Sequence, residues 1–445
     1  MSAGIFTMDQ PTSSDMERDA RSMHADTGSN PGNIALGVII GRSSEFFDFF
    51  VYAIASVLVF PAHFFPMYDR LTGILLSFAI FSLAFIARPI GTVVFTAIDR
   101  VYGRGTKLIV ALFVLGGSTA AISFLPSYDV IGSLAIILLI IFRLGQGFAL
   151  GGAWDGLASL LALNAPHNRR GWYAMMPQLG APLGFILASG LFAFFYASLS
   201  SADFLDWGWR YPFFVAFAIN VVALFARLRL VATTEFGSML DRLELAPVRT
   251  IDLLRNHGLD VLIGTFTPLA SFAMFHLVTV FPLSWISLYS QHEITSFLLV
   301  EMVGALICTG TIIFSGVLAD RIGRRGQLAV AAVIIAIFSV TAPFMLAAGT
   351  WGEDAFVLIG FAVLGLSFGQ AAGAVSSRFG REYRYSGAAL TSNLAWVIGA
   401  GFAPLVALGV ASTFGVQYVG IYLLSGALCT LGALAVSRKL ELSED

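Results

Sequence analysis

The sequence predicts an all-α polytopic membrane protein whose twelve transmembrane helices form two six-helix halves. Three observations predict it: an apolar composition, a regular succession of apolar stretches of spanning length, and a charged loop motif that occurs once in each half. Of 445 residues, 57% are hydrophobic and 12% charged, against roughly 25% charged in soluble domains. Mean hydropathy is +0.83. Folded in water, such a chain would expose large apolar patches, so a soluble globular protein is excluded.

A bilayer core needs about 20 apolar residues per helix. Such segments run over 33–60, 71–98, 107–125, 133–163, 171–198 and 210–230, then 257–284, 294–319, 327–348, 354–377, 386–410 and 414–436. Between the sixth and seventh, residues 231–256 form the long charged interior loop, with Glu235, Asp241, Arg242, Glu244, Arg249, Asp252 and Arg255. The predicted organisation is therefore a polar, disordered cytoplasmic tail over 1–32, an N-terminal half over 33–230, a cytoplasmic linker over 231–256, a C-terminal half over 257–436 and a short cytoplasmic tail over 437–445. Residues 1–32 contain no apolar core and do not read as a secretory signal.

Charge fixes the expected orientation. With the N-terminus cytoplasmic, eighteen lysines and arginines of the loops and C-terminal tail, from Arg100 to Lys439, fall inside, and two, Arg70 and Arg210, fall outside. Cytoplasmic loops of membrane proteins carry this excess of positive charge, so both termini are expected in the cytoplasm of a bacterial inner membrane. Internal repetition supports the two halves. Asp99-Arg100-Val101-Tyr102-Gly103-Arg104 follows the second segment and Asp320-Arg321-Ile322-Gly323-Arg324-Arg325 follows the eighth. Repeats of this kind put a binding site between the halves, near the bilayer midplane.

Ionisable residues inside the segments are the functional candidates, because a charge at a helix centre costs about 2.5–3.5 kcal/mol on insertion scales. Glu45 and Asp48 lie three residues apart, with Tyr52 four further on, on one helical face. Two neighbouring carboxylates in an apolar setting resist joint ionisation, which suits proton coupling; the alternative is an inert cluster neutralised by Arg42. Arg143 presents a fork of donors suited to a carboxylate, with Gln146 on its face. It would grip an acidic solute, or a segment-1 carboxylate when the site is empty, or form a permanent structural pair. Gln178, His276, Asn393 and Trp396 are further candidates for lining the solute path, although a lone histidine among aromatics is more often a packing residue. Glu301 is read as interfacial, and the Phe46-Phe47 and Phe49-Phe50 pairs as packing or lipid contact. The two Asp-Arg loops are read as latches that close the cytoplasmic side: Asp99, Arg100 and Arg104 in one, Asp320, Arg321 and Arg324 in the other. Asp155 would pair with Arg100 or Arg104.

These loops resemble the signature of the major facilitator superfamily, and the wider pattern resembles its metabolite:proton symporter family. The matching stretches are Glu45-Phe46-Phe47-Asp48-Phe49-Phe50-Val51-Tyr52, Arg88-Pro89-Ile90-Gly91, Arg143 with Gln146-Gly147-Phe148-Ala149 and Gly151-Gly152-Ala153-Trp154, Ala165-Pro166 with Arg170-Gly171, and Trp207-Gly208-Trp209-Arg210-Tyr211-Pro212. The resemblance implies the major facilitator fold, proton-coupled movement of a small carboxylate or zwitterion, and a role for Arg88 at or near the site. The chain departs from the family pattern at Ala153, where the family has Glu, and in the first Asp-Arg loop, where Thr96 and Ile98 replace glycines and one residue is inserted before Gly103.

Several chemistries are not supported. Cys308 and Cys429 lie in apolar runs, so neither a disulfide framework nor a thiolate metal site is indicated. There is no nucleotide-binding Gly-rich Lys-Ser/Thr loop, no metal-ligand cluster and no basic nucleic-acid face, so no cofactor and no enzyme activity are expected. Three readings follow: a monomeric proton-coupled importer of a small carboxylate or zwitterion, a proton-driven exporter of a metabolite or drug-like molecule, and a non-transporting sensor on the same fold. The midplane Arg143 with Glu45 and Asp48 favours the first.

Overall fold

The structure is a computed structural model in which residues 31–153, 161, 165, 169–231, 247–376 and 379–436 are described. The two tails (apart from residues 31 and 32), residues 232–246 of the charged linker, and Asp155 lie outside the described residues. Ten helices among those described are long and apolar enough to cross a membrane. One of them, Arg70–Ser123, is two helices merged across Gly103. Pro31–Leu58, which carries Arg42, Glu45 and Asp48, completes a set of twelve.

In chain order these are α1 (Pro31–Leu58), α2 (70–102), α3 (104–123), α4 (Ser133–Gly152), α5 (Arg170–Ser198) and α6 (Arg210–Val231), then α7 (Leu269–Tyr289), α8 (Ile294–Ile322), α9 (Arg324–Leu346), α10 (Thr350–Val375), α11 (Glu382–Phe414) and α12 (Val416–Val436). A shorter helix, Thr250–Phe266, leads into α7. The helices match the apolar segments closely, with one boundary moved: α4 ends at Gly152, where the apolar run was expected to carry the helix to residue 163.

The halves repeat one another in packing and in local chemistry. α2 packs on α4 as α8 packs on α10, and α9 on α12 as α3 on α6. The second helix of each half begins at an acidic cap. Asp69 accepts hydrogen bonds from the Thr72 N–H at 3.1 Å and its hydroxyl at 2.6 Å, and Glu293 accepts from Ser296 in the same way. Such caps satisfy N–H groups that a helix start leaves unpaired. Each of these helices also ends at a glycine with positive φ, Gly103 (φ 82°) and Gly323 (φ 77°), a conformation open to glycine and strained for other residues. The residue inserted before Gly103 therefore leaves the turn itself intact.

The halves meet where α5 packs on α8 and α2 on α11. Close approach is built in by small residues. A Cβ at Gly147 would collide with the backbone of Ala84, and one at Gly151 with the Arg88 carbonyl and the Thr92 nitrogen. α4 therefore lies against the stretch of α2 that carries Arg88. Two helices are irregular near the interface. α7 follows a break at Pro268 and is broken again at Val280, just before Pro282, and α11 contains a π-helical turn, Trp396–Gly401. Breaks and π-turns of this kind gather at functional sites.

Candidate functional site

A pocket opens between the halves, lined by Arg42, Glu45, Phe46 and Phe49 of α1, Arg88 of α2, Leu150 of α4 and Trp396 of α11. Its empty space, counted together with the open solvent at its mouth, comes to about 310 Å³. The π-turn of α11 and the tight α2–α4 crossing bring its charged and aromatic walls together.

Arg88 is held from the opposite half. Its Nε donates to Asn393 Oδ1 at 3.0 Å, and Asn393 Nδ2 donates to Thr92 Oγ1 at 2.7 Å. The guanidinium lies over the Trp396 ring at 5.3 Å. Nε is thus committed to Asn393, and among the described residues no group is bonded to the two terminal nitrogens, in a pocket whose other cation, Arg42, is paired with Glu45 at 2.5 Å. A half-buried guanidinium arranged in this way is a fork for a carboxylate. Arg88, which the family resemblance put at or near the site, lines the pocket.

Glu45 and Asp48 separate instead of forming one acidic pair. Glu45 faces the pocket and is bonded to Arg42. Asp48 is buried against α3 and accepts from Thr119 Oγ1 at 2.6 Å. Thr119 Oγ1 in turn receives Gln146 Nε2 at 2.8 Å, and Gln146 Oε1 receives Arg143 Nη1 at 3.0 Å. Arg143 Nε and Nη2 both donate to the Phe81 carbonyl at 3.3 Å, and its guanidinium lies 3.9 Å from the centre of the Tyr52 ring. A direct pair between Arg143 and a segment-1 carboxylate is therefore corrected to a relay, Arg143–Gln146–Thr119–Asp48. Thr119 carries no charge and lies 71 positions from Asp48, so no sequence signal marked it.

Other expectations are also revised. Glu301 is fully buried, its carboxyl oxygens bonded to no other described group, because its face of α8 turns inward beside Phe297, Leu298 and Gly304; the interfacial reading is wrong. Phe46 and Phe49 line the pocket, where packing or lipid contact was expected. His276 is completely buried among aromatic rings, with neither ring nitrogen bonded among the described residues. Gln178 is buried beneath α1 and stands apart from the pocket wall.

At the Asp99 and Asp320 end the two loops close the interface differently. Asp320 Oδ1 and Oδ2 accept the N–H groups of Gly171 and Trp172 at 2.6 and 3.1 Å, so a carboxylate of one half caps the start of α5 in the other. A carboxylate in that position also meets the positive end of the helix dipole. Gln370 Nε2 reinforces it by donating to the Gly171 carbonyl at 3.1 Å. Asp99 is instead buried with Arg104 (3.0 Å) and Lys107 (3.6 Å) of its own half, and reaches the other half through the Tyr385 hydroxyl at 3.2 Å. Lys107 donates to that hydroxyl at 2.6 Å. Arg324 donates to the Gly373 carbonyl at 3.1 Å, while Arg100 and Arg321 are exposed.

Comparison with known proteins matches this geometry to a family. The Major Facilitator Superfamily model covers residues 38–404. An inner membrane metabolite transport protein of Escherichia coli (strain K12) is 34% identical over 415 residues, covering 91% of this chain and 94% of that protein. The shikimate transporter of the same organism is 32% identical over 410 residues, covering 88% and 91%. Among solved structures, a D-xylose-proton symporter superposes with a TM-score of 0.69 at 18% identity, covering 92% of this chain and 98% of that one, which establishes the shared fold. The chain belongs to the major facilitator superfamily, in the company of its metabolite transporters, in agreement with the motif resemblance to the metabolite:proton symporter family.

Proposed function

We propose that this metabolite transporter is a proton-coupled importer of a small carboxylate or zwitterion, working as a monomer in a bacterial inner membrane with both termini cytoplasmic. One observation carries the reading: Arg88 stands in a pocket between the halves with its Nε tied to Asn393 of the opposite half and its terminal nitrogens bonded to no group among the described residues. A carboxylate on Arg88 touches a residue that is itself bonded across the interface, so binding acts on the contact between the halves. One relative is named for shikimate, a carboxylic acid.

In this reading Arg88 holds the solute carboxylate and Trp396 flanks it, with Asn393 reporting to the C-terminal half. Glu45 releases Arg42 to the solute when it takes up a proton, and Asp48 is the second proton site, felt by Arg143 through the relay. Tyr52, Gln146, Gln178 and His276 shape the path around these groups. The Asp99 and Asp320 contacts form the cytoplasmic gate, closed while the opposite side loads, and alternating access follows from rocking of the halves.

The test is radiolabelled carboxylate and amino-acid uptake into proteoliposomes, with an inward proton gradient switched on and off. Accumulation that requires the gradient is the expected result. Accumulation only in inside-out vesicles would establish export, and gradient-independent equilibration would remove the coupling.

A further inference from the structure

We propose that Phe49 shutters a second subsite centred on His276, and that the transported solute is accordingly a hydroxylated carboxylate. The inference rests on the reading of Arg88 as the carboxylate anchor and names what lies beyond it.

His276 is completely buried, with neither ring nitrogen bonded among the described residues. An imidazole carries at least one N–H donor in either protonation state, and buried polar groups are almost always paired. The rings around it leave both nitrogens unmet: Phe49 stacks on it at 4.9 Å, Phe275, Phe81 and Phe85 lie at 5.0, 5.4 and 5.6 Å with no polar atom to offer, and Trp396 lies at 6.0 Å without bonding to it. A histidine kept only for packing gains nothing in such a cage over phenylalanine, which is abundant on every side.

Phe49 and Trp396 also form walls of the pocket that holds Arg88. Phe49 is therefore both a wall of the pocket that holds the carboxylate anchor and the ring stacked on an unmet hydrogen-bonding group. A rotation of the Phe49 side chain uncovers that group, and the break in α7 at Val280, four residues past His276, gives the helix a point at which to adjust. The partner that enters should be uncharged. Arg143 lies 5.4 Å from the centre of the Phe49 ring and Arg88 stands in the pocket, so a second cation is repelled. A second carboxylate would meet an Arg143 in which each guanidinium nitrogen already donates to Phe81 or Gln146. A hydroxyl, which both donates and accepts, meets the requirement.

The test measures binding to the full-length protein in detergent for matched probes: shikimate against cyclohex-1-ene-1-carboxylate, and 3-hydroxybutyrate against butyrate and succinate. The wild type should favour the hydroxylated member by roughly tenfold in Kd, the scale of one well-formed hydrogen bond. His276→Phe should bring that ratio close to one, by weakening the hydroxylated member more than its unhydroxylated partner. His276→Gln, which keeps a donor, should preserve the preference, and so guards against a variant that merely misfolds. A wild type without preference, a preference for succinate, or equal loss of both members in His276→Phe would overturn the proposal. Failure of every probe to bind, or binding that ignores Arg88→Gln, would instead overturn the carboxylate reading beneath it.

Discussion

Arg143 and Asp48 are joined through two intervening side chains, with Gln146 accepting from the arginine and Thr119 donating to the carboxylate. Each link is a neutral group between two charged ones. A change of charge at Asp48 therefore reaches Arg143 as a reorientation of the Thr119 hydroxyl and the Gln146 amide.

The relay predicts separable defects. Asp48→Asn should abolish proton-driven accumulation while leaving solute exchange across the membrane intact. Thr119→Val, which keeps the shape and removes the hydroxyl, should weaken coupling in the same direction and cost roughly 1–3 kcal/mol of stability by stranding buried partners. Parallel counterflow and gradient-driven uptake assays check both. Wild-type accumulation by Asp48→Asn would remove this residue from coupling.

Arg88 and Arg143 should fail differently. Arg88→Gln removes a group that faces the pocket, so it should raise KM for an anionic solute at least tenfold, the scale of a charge-assisted hydrogen bond. Arg143→Gln breaks the relay and its contact with Tyr52, and should instead depress the maximal rate and the thermal stability. Initial-rate kinetics in proteoliposomes separate the two outcomes.

Asp320 and Tyr385 should contribute unequally to closure. Asp320→Ala removes two hydrogen bonds and a charge at the α5 start, a loss of about 1–2 kcal/mol, enough to shift an open–closed equilibrium roughly five- to thirtyfold. Tyr385→Phe should shift it less, because Asp99 retains Arg104 and Lys107. Thiol labelling of cysteines introduced beside Gly171 and Tyr385 reports the open fraction.

Gly151 faces the backbone of Arg88 and Thr92. Gly151→Ala should push α2 away, with an overpacking cost of about 1–3 kcal/mol, and impair substrate affinity without altering any charge. Affinity equal to wild type would mean that the α2–α4 crossing does not position Arg88.

Much of this architecture was legible in the sequence because its causes are local. Spanning length and the repeated Asp-Arg loops are written in consecutive residues, and each loop turns at a glycine with positive φ, Gly103 and Gly323. What escaped was set by pairing across the chain. Asn393 meets Arg88 from 305 positions away and Tyr385 meets Asp99 from 286, and no periodicity reports such partners. Glu301 was misread because distance along a helix says nothing about which face turns inward. Phe49 was hidden by abundance, as one of 40 phenylalanines, nearly all of which can serve as packing.

The most direct measurement of the central claim is thermal stabilisation of the purified protein by a library of carboxylates, amino acids and neutral sugars, run on the wild type and Arg88→Gln. A ligand that binds only the folded state raises apparent stability by mass action. At least one carboxylate or zwitterion should stabilise the wild type by several degrees and lose that effect in Arg88→Gln. Stabilisation by neutral solutes alone, or an equal effect on both proteins, would contradict the account.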